Sequence, residues 1–210
     1  MSRSSAPGAV SPYEAVLGAR IDDLHPRLRR YFSTIPDGHV GVGRGVFDVV
    51  GSPRRSVWPL LAVLARFGVA FPGYERGVAF DVVNTPVTGR AAVAAERTFH
   101  LRSGTAVMRD RIAHVSGALV DDLGRGGILR VRFVAAVDGA ALVLRSDRVG
   151  FRLGRVRVRL PRLVAPRVTL TERFDDDRGE QVVACTVELP VLGVIYSYRG
   201  SFDYRIESRG

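Results

Sequence analysis

Residues Ile128 to Val149 read ILRVRFVAAVDGAALVLRSDRV, and this stretch decides the fold. Val131 and Phe133 alternate with Arg130 and Arg132, the pattern of a half-buried strand whose successive side chains point to opposite faces of a sheet. Asp138-Gly139 then breaks the run. Both residues accept the positive φ of a type I′ turn, so the spacing predicts a hairpin joining strands 128–137 and 140–149. Working outward, the same period of two recurs from Val69 onward. Runs rich in β-branched and aromatic residues at 77–84, 91–101, 106–115, 117–123, 151–160, 167–175, 181–189 and 194–207 predict further strands. Gly126-Gly127 and Arg178-Gly179 mark two more turns, and Arg155 to Leu160 alternates strictly between a charged and an apolar face.

Ahead of Val69 the period is helical. Ser11-Pro12-Tyr13-Glu14 predicts a helix start, with Ser11 as cap, Pro12 at the first helical position and Glu14 completing a capping box. Apolar residues from Tyr13 to Phe32 follow helical spacing, and Pro26 should kink this element or divide it in two. The glycine-rich segment Ile35 to Val50 reads as a loop feeding a first strand at Val46–Val50. Ser52-Pro53 predicts a second helix running to about Phe67, with Trp58, Leu61, Leu64 and Phe67 on its buried side. About ten strands are too many for a flat, uncovered sheet, which tends to curl or split. The expectation is therefore an α+β fold: a large, curved, mostly antiparallel sheet, a barrel-like meander, covered by two or three N-terminal helices. A flexible tail over 1–10 precedes a single globular domain over 11–207, helical to about 68 and β from about 69.

The chain has 210 residues, a net charge of +10 and 31 basic residues, every one of them arginine. The basic excess is spread along the whole length, so no segment reads as a dedicated nucleic-acid domain and nucleic acid is an unlikely partner. Arg152 to Arg167 holds six arginines and no acid, and this stretch faces either solvent or an anionic partner. Only Phe151 lies nearby to supply the base stacking that a single-strand binder needs. Cys185 is the sole cysteine, which excludes an intrachain disulfide, and the first ten residues lack the apolar run of a secretion signal. The strongly apolar stretch Val57 to Phe67 is too short to span a bilayer. These features predict a soluble, cytoplasmic protein with no membrane span.

Few residues promise chemistry. In Met108-Arg109-Asp110-Arg111-Ile112, Asp110 shares a strand face with Met108 and Ile112 and so points inward. Glu172 shares a face with Val168, Leu170 and Phe174, where burial raises a carboxyl pKa and fits it to acid–base work. Glu96 and Arg97 are possible partners for either acid. Tyr196, Tyr198, Phe202 and Tyr204 form an aromatic ladder. His25, His39, His100 and His114 read as surface or cap histidines, and Asp175-Asp176-Asp177 as a solvated hairpin tip. Gly41-Val42-Gly43-Arg44-Gly45 lacks the strand before and helix after that a phosphate loop needs. Neither a metal nor a cofactor is expected, and Cys185 reads as a buried, inert thiol.

Taken together, Ser11-Pro12-Tyr13-Glu14, His25-Pro26-Arg27-Leu28, Gly45-Val46-Phe47-Asp48-Val49, Thr98-Phe99, Pro166 to Glu172 and Pro190 to Phe202 resemble the bacterial domain-of-unknown-function family 4166. The resemblance runs from about Ser11 to about Ile206 and implies no activity. Similar domains also follow a dehydrogenase-like nucleotide-binding region in longer chains, which implies a possible oxidoreductase partner protein. Three functions follow as expectations. The first is a non-catalytic module binding a small lipophilic or carbonyl-containing molecule, with Trp58, Met108, Glu172, Tyr196 and Tyr198 lining the cavity. The second is an enzyme using Glu172 or Asp110 as its inward carboxylate. The third is an accessory subunit of a nucleotide-dependent oxidoreductase.

Overall fold

The computed structural model describes residues 10–210. The tail expected over 1–10 therefore lies, apart from Val10, outside the described residues. Helix α1 (Pro12–Leu17) continues as a 3₁₀ segment (Gly18–Asp23) and is followed by α2 (Pro26–Phe32). The capping box forms: Ser11 Oγ accepts from the Tyr13 and Glu14 N–H groups, and Glu14 Oε2 accepts from Ser11 N at 3.0 Å. Pro26 divides the helical segment. His25 caps α2, its Nδ1 accepting from Arg27 N at 3.2 Å. Its ring stacks on Phe174 at 4.6 Å and its Nε2 lies 3.2 Å from Asp176 in the hairpin tip. The second predicted helix starts late. Ser52 does not cap it; α3 (Trp58–Arg66) follows a short 3₁₀ turn at Arg55–Val57, with Pro59 in its first turn.

Among the described residues twelve strands form, most of them where alternation predicts and with β2 unforeseen: β1 (His39–Gly51), β2 (Tyr74–Glu75), β3 (Val78–Pro86), β4 (Ala92–Leu101), β5 (Gly104–Val115), β6 (Ala118–Leu123), β7 (Leu129–Asp138), β8 (Ala141–Leu153), β9 (Val156–Arg159), β10 (Arg167–Asp175), β11 (Glu180–Leu189) and β12 (Gly193–Ser208). Every pairing is antiparallel. The curved sheet closes completely. Ten strands form a ring in the order β1-β3-β4-β5-β6-β7-β8-β10-β11-β12, and β12 returns to β1. Closure depends on β8 pairing with β10 across the intervening β9, which hangs from β8 alone.

Three local expectations change. The strand expected over 151–160 is the end of β8 and the separate β9, parted by a turn at Gly154 with φ 59°. The β7–β8 turn sits one residue later than Asp138-Gly139: Asp138 pairs with Ala141, while Gly139 and Ala140 carry φ of 52° and 65°. The glycine loop is a strand. Gly41, Gly43 and Gly45 occupy one face of β1, where side chains from β12 and β3 lie across them. A Cβ on Gly43 would sit 2.7 Å from Val82 and 3.0 Å from Phe202, and one on Gly45 2.0 Å from the Ser201 carbonyl. Glycine is needed there for close approach, not for flexibility.

The interior holds two apolar clusters. One centres on Phe47, Phe80 and Phe99, with the Phe47 and Phe80 rings stacked 4.1 Å apart, and includes Leu61, Phe71 and Phe202. The other joins Leu17, Leu24, Leu28 and Phe32 of the helical segment to Ile112, Leu119, Phe133 and Leu142 of the strands. Among the described residues no helix is long and apolar enough to cross a membrane.

Candidate functional site

The strand register gathers an unusual set of polar groups on the inner face. Arg97 lies opposite Met108, and Ala95 opposite Asp110, so Arg97 and Asp110 are diagonal neighbours across β4 and β5. Ile112 lies opposite Asp121, which places Asp121 one further diagonal step along, on β6. Across the ring, Phe174 faces Gln181 and Glu172 faces Val183, so Glu172 and Gln181 are diagonal too. Diagonal neighbours are within reach of long side chains. Both reach: Arg97 Nη1 donates to Asp110, and Gln181 Nε2 donates to Glu172.

Burial sets the protonation of these groups. Glu172 is 7% exposed and its pKa is pushed up to about 7 by burial, against the Gln181 hydrogen bond and the Arg97 charge, which both favour the carboxylate. Burial also raises Asp110, with Arg97 opposing. For Arg97 burial is the largest single influence and disfavours the cation, but the surrounding acidic groups, Asp110 foremost, together outweigh it and the guanidinium stays protonated. Asp121 is raised well above the carboxylate range, first by burial and then by Asp110, and its Oδ1 is buried without a hydrogen-bond partner. Arg97 is the cation that Asp110, Asp121, Glu172, Tyr31 and Tyr198 all feel. One cation therefore serves three buried acids.

A narrow pocket reaches this centre between the helical segment and strands β3 to β5. It is lined by Tyr13, Tyr31, Asn84, Arg97 and Asp110, among others, and has a volume of about 20 Å³. That is room for one water. Ser11 stands at its wall, tied to α2 by a hydrogen bond from its Oγ to the Phe32 carbonyl. Thr34 Oγ1 accepts from Ser11 N at 2.9 Å and donates to Glu14 at 2.6 Å.

The expected site residues divide between the polar centre and the packed core. Asp110 and Glu172 point inward at the centre, and Arg97 is the partner of Asp110, whereas Glu96 faces outward and binds Arg109 at 2.7 Å. Met108, Trp58, Tyr196 and Tyr198 belong to the first apolar cluster. Trp58 Nε1 donates to the Ser52 carbonyl at 2.9 Å, and Tyr196 directs its hydroxyl at the Met108 sulfur from 4.0 Å. Tyr198 lies opposite Cys185, whose thiol is pushed up to about 12 by burial. Asp121, Gln181 and Asn84 were not singled out by sequence reasoning. Asp121 alternates with Leu119 and Leu123, the same signal that marks Asp110. Among the described residues no three His, Cys, Asp or Glu side chains gather at metal-binding spacing.

No curated protein matches the chain. A family model described as a domain of unknown function (DUF4166) matches residues 24–202, and the chain belongs to that family.

Proposed function

We propose that the barrel is a binding module for a small, polar, carbonyl-bearing molecule that engages Arg97, Asp110, Asp121 and Glu172. The helical segment 11–35 closes one mouth of the barrel over them. The observation that carries this reading is the buried, partnerless Asp121 Oδ1 beside a carboxylate–arginine pair, because buried polar atoms in native proteins nearly always have partners. A protonated Asp121 or Glu172 donates to a carbonyl oxygen as readily as it accepts from an amide. A purely lipophilic ligand fits less well, since the aromatic cluster around Phe47 fills its half of the interior and the pocket at the polar centre is only water-sized. Admission of anything larger requires the helical segment to move, and the Ser11–Phe32 and Thr34–Glu14 hydrogen bonds tie its two ends to each other. The ten-strand ring supports the expected single-domain organisation.

A catalytic reading has one specific support. Glu172 titrates near neutrality in an apolar setting, as a general acid or base does, and its partner is a neutral amide, not an arginine. Asp110, fixed by its own Arg97, is the weaker candidate.

The test is a thermal-shift screen of the full chain against small ketones, amides and keto acids, with native mass spectrometry of the purified protein to detect carried ligand. Binding should raise the melting temperature of the wild type and be lost in Asp121→Leu. A screen without a single stabilising compound, together with an Asp121→Leu variant more stable than wild type, would reduce the polar centre to an internal brace.

A further inference from the structure

The outer face of β7, β8 and β9 carries a second, independent feature. Arg130 pairs with Gly150 and Gly150 with Arg159; Arg132 pairs with Arg148, and Arg152 with Arg157. Six arginines from three adjacent strands therefore share one face around a residue without a side chain. At Gly150 the strands approach closely, and a Cβ there would lie 2.7 Å from the Val158 carbonyl. The hollow there measures about 530 Å³, and the apolar side chains on its arginine face are Val115 and Val120.

Two of these arginines are neutralised. Arg130 binds Asp122 at 2.5 and 2.6 Å, and Arg132 binds Asp147. Arg152 donates to the Gly154 and Gly126 carbonyls at 3.1 and 3.2 Å. Among the described residues Arg148, Arg157 and Arg159 have no carboxylate within ion-pair distance. Arg132 against Arg148 and Arg152 against Arg157 are like charges directly opposed, an arrangement that destabilises a sheet. An anion seated between the strands would reverse the sign of that interaction.

We propose that this hollow binds a small amphipathic phosphate monoester. Its phosphoryl group sits among Arg148, Arg152, Arg157 and Arg159, and its apolar part lies on Val115 and Val120, which share the arginine face. A phosphoryl group brings three acceptor oxygens and a charge of about −1.5 to −2 near neutral pH, which several guanidinium forks share better than a single carboxylate would. A volume of about 530 Å³ is the size of a small-molecule site. A single aromatic residue in the lining argues against a nucleic-acid strand.

Phenyl phosphate and phenol are titrated calorimetrically into the full chain at low salt. Sedimentation with phosphatidylcholine vesicles, with and without phosphatidic acid, separates a lipid headgroup from a soluble ester. Phenyl phosphate should bind and phenol should not. Replacing Arg148 and Arg157 together by alanine should weaken phenyl phosphate at least about tenfold, through lost charge-assisted hydrogen bonds. The same double variant, checked by circular dichroism, should melt no lower than wild type without ligand. Sedimentation only with phosphatidic acid vesicles identifies the ligand as a lipid, and phenyl phosphate binding without sedimentation identifies a soluble ester. The proposal fails if phenyl phosphate does not bind, or binds the double variant as it binds wild type. Single-stranded RNA binding that phenyl phosphate leaves undisturbed would also overturn it.

Discussion

The inside of the barrel and the outer face of β7 to β9 are unbalanced in charge, and in opposite senses. Among the described residues, Asp110, Asp121 and Glu172 share the cation Arg97 inside, while outside six arginines meet only Asp122 and Asp147. The two excesses are resolved by different chemistry. A carboxyl whose burial outweighs the pull of a shared cation holds its proton to higher pH, which is why Glu172 and Asp121 are both pushed up. An arginine has no such escape, because its pKa lies beyond any physiological pH, so a surplus of guanidinium groups must find water or an anion. The same arithmetic gives proton storage in one place and ion capture in the other.

The comparison breaks most visibly at Arg97. Arg97→Met leaves Asp110 buried without its counter-ion and should cost about 3–5 kcal/mol of stability in urea denaturation. Arg97→Met combined with Asp110→Leu should recover most of that loss. A single variant as stable as wild type would mean that Asp110 simply takes up a proton, as its neighbours do.

Next comes Glu172. Its pKa is about 7 in the folded barrel against an ordinary 4.5. The folded state holds the extra proton, so this stabilisation is complete below pH 4.5, declines as pH rises and is gone once pH passes 7. The decline amounts to on the order of 3 kcal/mol. Urea melts from pH 4 to pH 8 should show the slope in wild type and a flatter profile in Glu172→Gln, with the largest difference between pH 5 and 7. Equal slopes would place the Glu172 pKa in the normal range.

Asp121→Asn replaces a carboxyl that burial pushes toward its neutral form by a near-isostere and should shift stability at pH 7 by less than about 1 kcal/mol. A much larger loss would show that the ionised form is the native one. The smallest effect belongs outside: Arg157→Gln removes one opposed pair and should stabilise the protein by a few tenths of a kcal/mol. That gain should fade in high salt, since the screening length for exposed charges shrinks to about 3 Å at 1 M.

Much of this was legible in the residue pattern. Alternation located nearly every strand and turned Asp110 and Glu172 inward, because a face shared with Met108, Ile112, Leu170 and Phe174 has to be buried. Ser11 to Glu14 announced the first helix through local hydrogen bonding alone. What stayed hidden depends on neighbours distant in sequence. Gly41, Gly43 and Gly45 signal a loop by themselves, and pairing with β3 on one side and with β12, more than 150 residues away, on the other makes them a strand. Ring closure relies on β8 skipping β9 to meet β10, a choice that no local period encodes. The partnership of Arg97 with Asp110, of all available acids, follows from strand register, and register emerges with the fold.

The pairing of β1 with β12 has a consequence for how the protein is made. β1 leaves the ribosome early and finds β3 soon afterwards, yet its other edge has no partner until β12 has been synthesised. Throughout that interval Phe47 and Val50 lack the cover that the last strand supplies, and an unpaired strand edge with apolar neighbours invites association with other chains. Closure then joins segments from opposite ends of the described chain in one late step, which makes slow folding and a need for chaperone protection the expected behaviour.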